Sequence, residues 1–252
     1  MFTRAGLQHW MNLSKLKSDE ELVAKIIKEH DLQKVNALFA SHSHYDHVID
    51  APIAAKLTGA TFYVDSNSQK VAKAYKEPKI KTELFQDQKF IQIGKFKITP
   101  ILRNHSHIRS LGLNYLPGPV PDTFDFNFYD YHVGDTWFYL AEHPDGKILI
   151  DQGSEPFLDK LKNLTTDVQV VIQGIANRES DEVILKGYVG SFKPSIFIPT
   201  HFDNFVFPLN TNADVWPLPG VKLEGLMKKM KKSYPNKKVI YPKYAKKIEL
   251  FK

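Results

Sequence analysis

Short apolar runs alternate with stretches of helical spacing along most of this chain. Val35-Asn36-Ala37-Leu38-Phe39-Ala40 is short and apolar enough for a buried strand. His47 to Leu57 is apolar with helical spacing and stops near Gly59, where a helix can end. Ahead of both, Ser18-Asp19-Glu20-Glu21 opens a helix through about His30, with Ser18 as cap and Glu21 completing a capping box. A β-rich run from Ala60 to Asp65 leads to a helix capped by Ser66 or Ser68 that reaches about Tyr75. Lys89–Ile93 and Phe96–Leu102 flank Gly94-Lys95 as a hairpin. Thr136–Glu142 and Lys147–Asp151 flank the turn His143-Pro144-Asp145-Gly146. Then come a helical stretch through Asn163, the apolar strand Val168–Ala176, a helix around Asp181–Gly187 and the strand Ser195–Pro199. A lysine-studded helix, Met227–Ser233, and two closing strands, Val239–Tyr241 and Lys247–Phe251, complete the pattern. Alternating strand and helix predicts layered α/β architecture. With no repeat or linker in view, one domain over residues 1–252 is expected.

Residues 108–134 fall outside this alternation. Pro117, Gly118, Pro119 and Pro121 are followed by Phe124, Phe126, Phe128, Tyr129 and Tyr131. Long irregular segments in compact domains tend to be binding loops or lids. The aromatics either line an apolar pocket or cover a sheet edge or oligomer contact. His132 in their midst is a candidate substrate contact.

Composition narrows the class only slightly. At 42% hydrophobic and 25% charged, the 252 residues read as an ordinary soluble protein with a sizeable core. No apolar run approaches a membrane span, and the first thirty residues lack a signal-peptide core, so a cytoplasmic location is expected. The net charge of +6 comes from one end: residues 222–252 hold eleven lysines against Glu224 and Glu249. A basic tail alone does not make a nucleic-acid-binding protein, and none is expected as a partner. Those lysines are either a solvated helix face or a contact for an anionic substrate or lipid surface. With no cysteine in the chain, any metal must be held by nitrogen and oxygen.

The chemistry concentrates between Ala40 and Ala51. His42, His44, Asp46 and His47 occupy a bend between a buried strand and a helix start. Alternate side chains of an extended stretch point the same way, so His42 and His44 can converge on one ion. Asp46 lies at the helix start, where a carboxylate is electrostatically favoured. Such a cluster at a strand–turn–helix junction is a metal-site pattern. Serine catalysis has no Gly-Xaa-Ser-Xaa-Gly elbow to support it, because Gln152-Gly153-Ser154-Glu155-Pro156 lacks the second glycine. No glycine-rich phosphate loop occurs either.

His42-Ser43-His44-Tyr45-Asp46-His47, after a hydrophobic strand, resembles the His-Xaa-His-Xaa-Asp-His signature of the metallo-β-lactamase superfamily. Asn104-His105-Ser106 and Pro199-Thr200-His201-Phe202-Asp203 resemble its later metal motifs, so the likeness spans nearly the whole chain. The nearest branch in appearance is that of ascorbate-phosphate lactonase-like and N-acylphosphatidylethanolamine phospholipase D-like hydrolases. The resemblance implies a four-layer αββα sandwich. It also implies one ion on His42, His44 and His105 and a second on Asp46, His47 and His201, with His107 in reserve. Zn²⁺ suits such nitrogen-rich sites, with Mn²⁺ or Fe as alternatives. Two ions about 3.5–4 Å apart can share a hydroxide nucleophile, which Asp46, as the catalytic residue, would orient or generate by accepting the proton of the parent water.

Two departures from that family stand out. Its pattern places Gly-Asp after the fourth-motif strand, whereas the matching pair here is Gly153-Ser154. Asp151, three residues earlier, is a candidate bridging ligand in its stead, although an odd offset faces the opposite side of a regular strand. The lead-in to the histidine turn is also short, which implies missing N-terminal edge strands or a chain that starts late. An uncovered edge invites pairing with a second copy, so a homo-oligomer is expected. The function implied is a metal-dependent hydrolase acting through a metal-bound hydroxide on a phosphodiester or lactone-type ester, the substrate being a small molecule or lipid-like. The alternative is a metal-binding module of the same fold without catalysis.

Overall fold

The computed structural model describes residues 2–106, 116–123, 125–204, 207–209, 214–244 and 246–251. Its contacts divide the chain into two compact units. The first holds the described residues within Met1–Gln86, Asn114–Trp137 and Phe205–Asn210. The second holds those within Asp87–Leu113, Phe138–Asn204 and Thr211–Lys252.

In the first unit, Leu7–Trp10 (α1) and Glu20–Glu29 (α2) precede Ala37–Phe39 (β1). Tyr45–Val48 (α3), Ala51–Thr58 (α4), Thr61–Val64 (β2), Ser66–Ala74 (α5) and Thr82–Leu84 (β3) follow. The three strands form a parallel sheet in the order β1-β2-β3. Parallel neighbours need crossovers, which α3 with α4 and then α5 supply. Two caps differ from the sequence expectation in the same way. Asp19 caps α2, accepting from the Leu22 N–H at 2.9 Å, and Asp65 caps α5, accepting from Asn67 and Ser68. A carboxylate at the cap combines hydrogen bonding with the favourable field of the helix start, so it displaces the neighbouring serine. α4 ends where expected, at Gly59, whose φ of +73° suits a residue without Cβ.

The core of this unit joins Phe62 and Val64 of β2 to Tyr45, Val48 and Ile49 of the α3 turn. Phe126, Phe128 and Tyr131 pack into the same cluster, with Phe128 ring centroids 4.6 Å from Trp10 and 4.8 Å from Tyr45. Those aromatics are therefore core residues. Phe124 lies outside the described residues. The Tyr131 hydroxyl donates to the Leu16 carbonyl, and the Leu16 N–H donates to Phe126, which binds the N-terminal segment to this core.

Asp50, buried at the start of α4, gathers the same N-terminal segment. It accepts from the Phe2 and Thr3 N–H groups and from the Thr3 and Ser18 hydroxyls, at 2.5–2.9 Å. Ser18, engaged there, is thus unavailable as the α2 cap.

In the second unit, Ile91–Ile93 (β4), Phe96–Arg103 (β5), Thr136–His143 (β6) and Gly146–Asp151 (β7) precede Leu158–Lys162 (α6) and Val170–Gly174 (β8). Asp181–Ile184 (α7) runs through a π-turn, Leu185–Val189, into Gly190–Phe192 (α8). Ile196–Thr200 (β9), Leu223–Ser233 (α9) and Lys238–Val239 (β10) complete the unit. The strand order is β10-β9-β8-β7-β6-β5-β4, parallel from β7 to β10 and antiparallel for β6–β7 and β4–β5.

The period of two divides each strand between two cores. Leu149, Val171 and Phe197 pack with Leu161, Ile184, Tyr188, Leu226 and Met230 from the helices, whereas Ile148, Val170, Ile196 and Ile198 form a separate cluster. Ile248, Leu250 and Phe251 pack against that second cluster without forming a strand, so the last of the two closing strands is absent among the described residues. α9 turns Leu226, Met227 and Met230 inward and leaves Lys228, Lys229, Lys231 and Lys232 in solvent. Lys229 pairs with Asp181 and Glu182 at 2.9 and 3.4 Å. No helix among the described residues is long and apolar enough to cross a membrane.

Truncating Asp50 to alanine leaves buried donors of residues 2, 3 and 18 without their acceptor. The expected loss is about 3 kcal/mol of unfolding free energy, read from urea denaturation. A loss below about 1 kcal/mol would show that water satisfies those donors.

Candidate metal centre

The histidine-rich bend begins after β1 ends at Phe39, earlier than an extended stretch through His44 would require. The bend is held by backbone bonds. Ala40 N–H donates to Tyr63, Ser43 N–H to Val133 and Trp137 N–H to the Ser41 carbonyl, while the Ser43 hydroxyl donates to the His132 carbonyl. His132 therefore supports the bend through its main chain. Peptide groups in a buried turn need partners, and these bonds supply them for the Ala40 and Ser43 N–H groups and the Ser41 carbonyl.

Within the bend, His42 Nε2 lies 3.0 Å from His44 Nδ1, with ring centroids 4.7 Å apart. Ser41 Oγ lies 3.1 Å from His42 Nδ1 and 2.9 Å from His47 Nδ1. A hydroxyl oxygen has two lone pairs, so it can accept from both rings and keep both Nε2 atoms unprotonated. His47 Nε2 sits 3.3 Å from Asp46 Oδ2, and Asp46 occupies the first turn of α3.

His105 follows β5. Its Nδ1 lies 2.6 Å from the Ser106 carbonyl, so Nδ1 carries the proton and Nε2 presents a lone pair. His201 follows β9 and adopts φ +54°, a left-handed conformation that costs about 1–2 kcal/mol for a non-glycine residue. That turn stops the strand at Thr200, whose hydroxyl donates to Gln152 Oε1 at 3.2 Å.

The first candidate set draws His42 and His44 from the bend and His105 from the residues after β5; the second draws Asp46 and His47 from α3 and His201 from the residues after β9. The donor sets fit a transition metal. Two nitrogens, each about 2.0–2.1 Å from one tetrahedral ion, stand about 3.3 Å apart, close to the His42–His44 spacing. Each group offers imidazole nitrogen or carboxylate oxygen, the donors that zinc, manganese and iron accept.

Asp151 belongs to neither group, for a reason of strand parity. It shares a face with Leu149, which packs towards the helices with Tyr188. There it forms an ion pair with Arg103, accepts from the Tyr188 hydroxyl at 2.7 Å and accepts from the Gly153 N–H at 2.8 Å. Burial pushes its carboxyl above the usual carboxylate range, against the opposing pull of Arg103, Tyr188 and the Gly153 N–H. Burial, reinforced by the Asp151 charge, holds the Tyr188 hydroxyl well above its ordinary value. His107 lies outside the described residues.

Several solved structures share this architecture. The metallo-β-lactamase fold protein YhfI from Bacillus subtilis is 14% identical over 92% of this chain and 83% of its own, with a TM-score of 0.57. An isothiocyanate hydrolase from Delia radicum gut bacteria is 14% identical over 88% of this chain and 80% of its own, with a TM-score of 0.56. A possible metal-dependent hydrolase from Veillonella parvula is 14% identical over 88% and 78%, with a TM-score of 0.57. No family model matches the chain, and no curated protein does. At such identities the likeness establishes the fold: a mixed α/β metallo-β-lactamase fold, with β-sheets flanked by helices.

Sequence reasoning missed three residues around these side chains. Ser41 gives no signal until the histidine rings are placed. Arg103 reads only as a charge at a strand end, and Tyr188 as one aromatic in a helix. If Ser41 orients two ligands, Ser41→Ala should weaken zinc binding about tenfold, the lower bound for losing an outer hydrogen bond to a ligand. Competition titration against a chromophoric chelator measures it, and an unchanged affinity would mean the rings are held without the hydroxyl.

Proposed function

We propose that this chain is a metal-dependent hydrolase, with His42, His44 and His105 holding one ion and Asp46, His47 and His201 a second. The observation that carries the reading is the bend that brings His42, His44, Asp46 and His47 together after β1, on a metallo-β-lactamase fold that also places His105 and His201 just beyond β5 and β9. Zinc is the metal we favour, because imidazole-rich sets suit it. When bound there, the ion lowers the pKa of a coordinated water towards about 7 and polarises the bond under attack.

The chain's own residues supply the remainder. Ser41 and the Ser106 carbonyl hold His42, His47 and His105 in the tautomer that leaves Nε2 unprotonated. Asp46, beside His47, is the carboxylate available to accept the proton of the attacking water, and we assign it that role. For the substrate we infer a phosphodiester or lactone-type ester in preference to a β-lactam. That inference rests on the motif resemblance to the lactonase and phospholipase-like branch. The hydrolases of similar architecture support the fold and leave the substrate class open. A metal-binding module without turnover is the second reading, favoured by the lack of an acidic residue at Ser154.

Purified protein should contain one to two equivalents of transition metal, and His44→Ala should lose most of it. Turnover on an ester, lactone and phosphodiester panel should stop on chelation and return with zinc. Metal uptake without turnover would leave the binding module. A wild-type protein that takes up no metal on reconstitution would overturn both readings.

A further inference from the structure

Arg103 is a buried guanidinium with three kinds of partner. Nη1 pairs with Asp151, Nε donates to the Asn104 carbonyl at 3.0 Å and Nη2 donates to Ser106 Oγ at 3.1 Å. Its two loop contacts fall on either side of His105. Asp151 is saturated in turn, with Oδ2 shared by Arg103 and the Tyr188 hydroxyl and Oδ1 held by the Gly153 N–H. Tyr188 accepts from the Phe157 N–H at 2.8 Å, which fixes the hydroxyl towards Asp151. Gly187 lets Pro156 pack where a Cβ would stand, and the π-turn containing it delivers Tyr188 to this position. β5 and β7 are separated by β6, about 9–10 Å of sheet, so the pair ties two strands together across a third.

Gly153 completes the arrangement. A Cβ there would stand 2.5 Å from Arg103 Nη1 and 2.9 Å from Ser106 Oγ. The planar guanidinium fills that space and can aim at a carboxylate, a carbonyl and a hydroxyl simultaneously. A lysine, whose three donors radiate from one nitrogen, cannot span partners set along a planar fork.

We propose that Arg103, anchored by Asp151 and Tyr188, is the positioning residue for His105, and that Asp151 acts through Arg103 without binding metal itself. The proposal rests on the reading of His105 as a metal ligand. It accounts for a buried carboxylate at the end of β7 that faces the helices and has donors on both oxygens. It also explains why the residue after Gln152 must be glycine: a side chain there would push the guanidinium off the loop that carries His105.

The test uses the full chain with two gentle variants. Arg103→Lys keeps a cation opposite Asp151 but gives up the fork. Gly153→Ala keeps every charge and donor but displaces the guanidinium. Each should fold and should lower zinc affinity about 10- to 100-fold in chelator competition. Saturating stoichiometry should stay at the wild-type value in both, and also in Asp151→Asn. Arg103→Lys combined with Asp151→Asn should be no weaker than the poorer single variant, as expected for residues acting in one chain of contacts. Loss of one metal equivalent in Asp151→Asn, with Arg103→Lys binding like wild type, would assign Asp151 as a ligand and overturn the proposal.

A second readout needs no metal. The ¹⁵N ring signals of His105 in metal-free protein should report a single Nδ1–H tautomer in wild type and a mixture in Arg103→Lys and Gly153→Ala. Identical spectra in all three would refute the positioning role whatever the metal content. A single wild-type tautomer lost in the variants, in a protein that binds no metal, would sustain the positioning role and sink the metal reading alone.

Discussion

A buried bend has to satisfy its own backbone before it can present side chains, and that constraint governs the histidine-rich turn. Residues 40–44 leave the regular ladder after three paired positions of β1, so their peptide groups need partners outside that register. Tyr63, Val133, His132 and Trp137 provide those partners from elsewhere in the first unit. The segment from 116 to 134, irregular in sequence, owes its order to the same bonds and to burial of Phe126, Phe128 and Tyr131 beneath α3. Core aromatics and candidate ligands are thus one construction: the rings fill the space under Tyr45, and the bend they support carries His42, His44 and Asp46.

In the second unit the corresponding constraint is electrostatic. Taking an arginine and an aspartate out of water costs several kcal/mol per ion, and attraction offsets this only when the remaining donors and acceptors are also paired. Arg103, Asp151, Tyr188, Gly153 and Ser106 meet that condition among themselves. An apolar pair of equal volume would serve stability as well, so the charges call for another explanation. The hydrogen bonds to both flanks of His105 offer one.

Much of this was legible in the sequence, and the rest failed for identifiable reasons. The closeness of His42, His44, Asp46 and His47 could be read because they lie within six consecutive residues at a strand–helix junction. The long strands of the second unit announced themselves by unbroken branched runs, as expected for strands covered on both faces. β3 was overlooked because Thr82-Glu83-Leu84 is short and largely exposed. The capping serines were misjudged because Asp19 and Asp65 compete for the same N–H groups with a full charge. Asp151 was offered as a ligand on its position after the strand. Parity with Leu149 decides otherwise where it points, and the partner that awaits it, Arg103, comes from a strand forty-eight residues away. Pairings at that range leave no trace in local pattern.

The central claim is that imidazole and carboxylate side chains of this chain hold a transition metal. X-ray absorption of the zinc-loaded protein tests it most directly. The account predicts a first shell of nitrogen and oxygen at about 2.0–2.2 Å, with the outer-shell scattering of several imidazole rings that vanishes in part in His44→Ala. A shell of oxygen alone, with no imidazole contribution and no change in that variant, would contradict it.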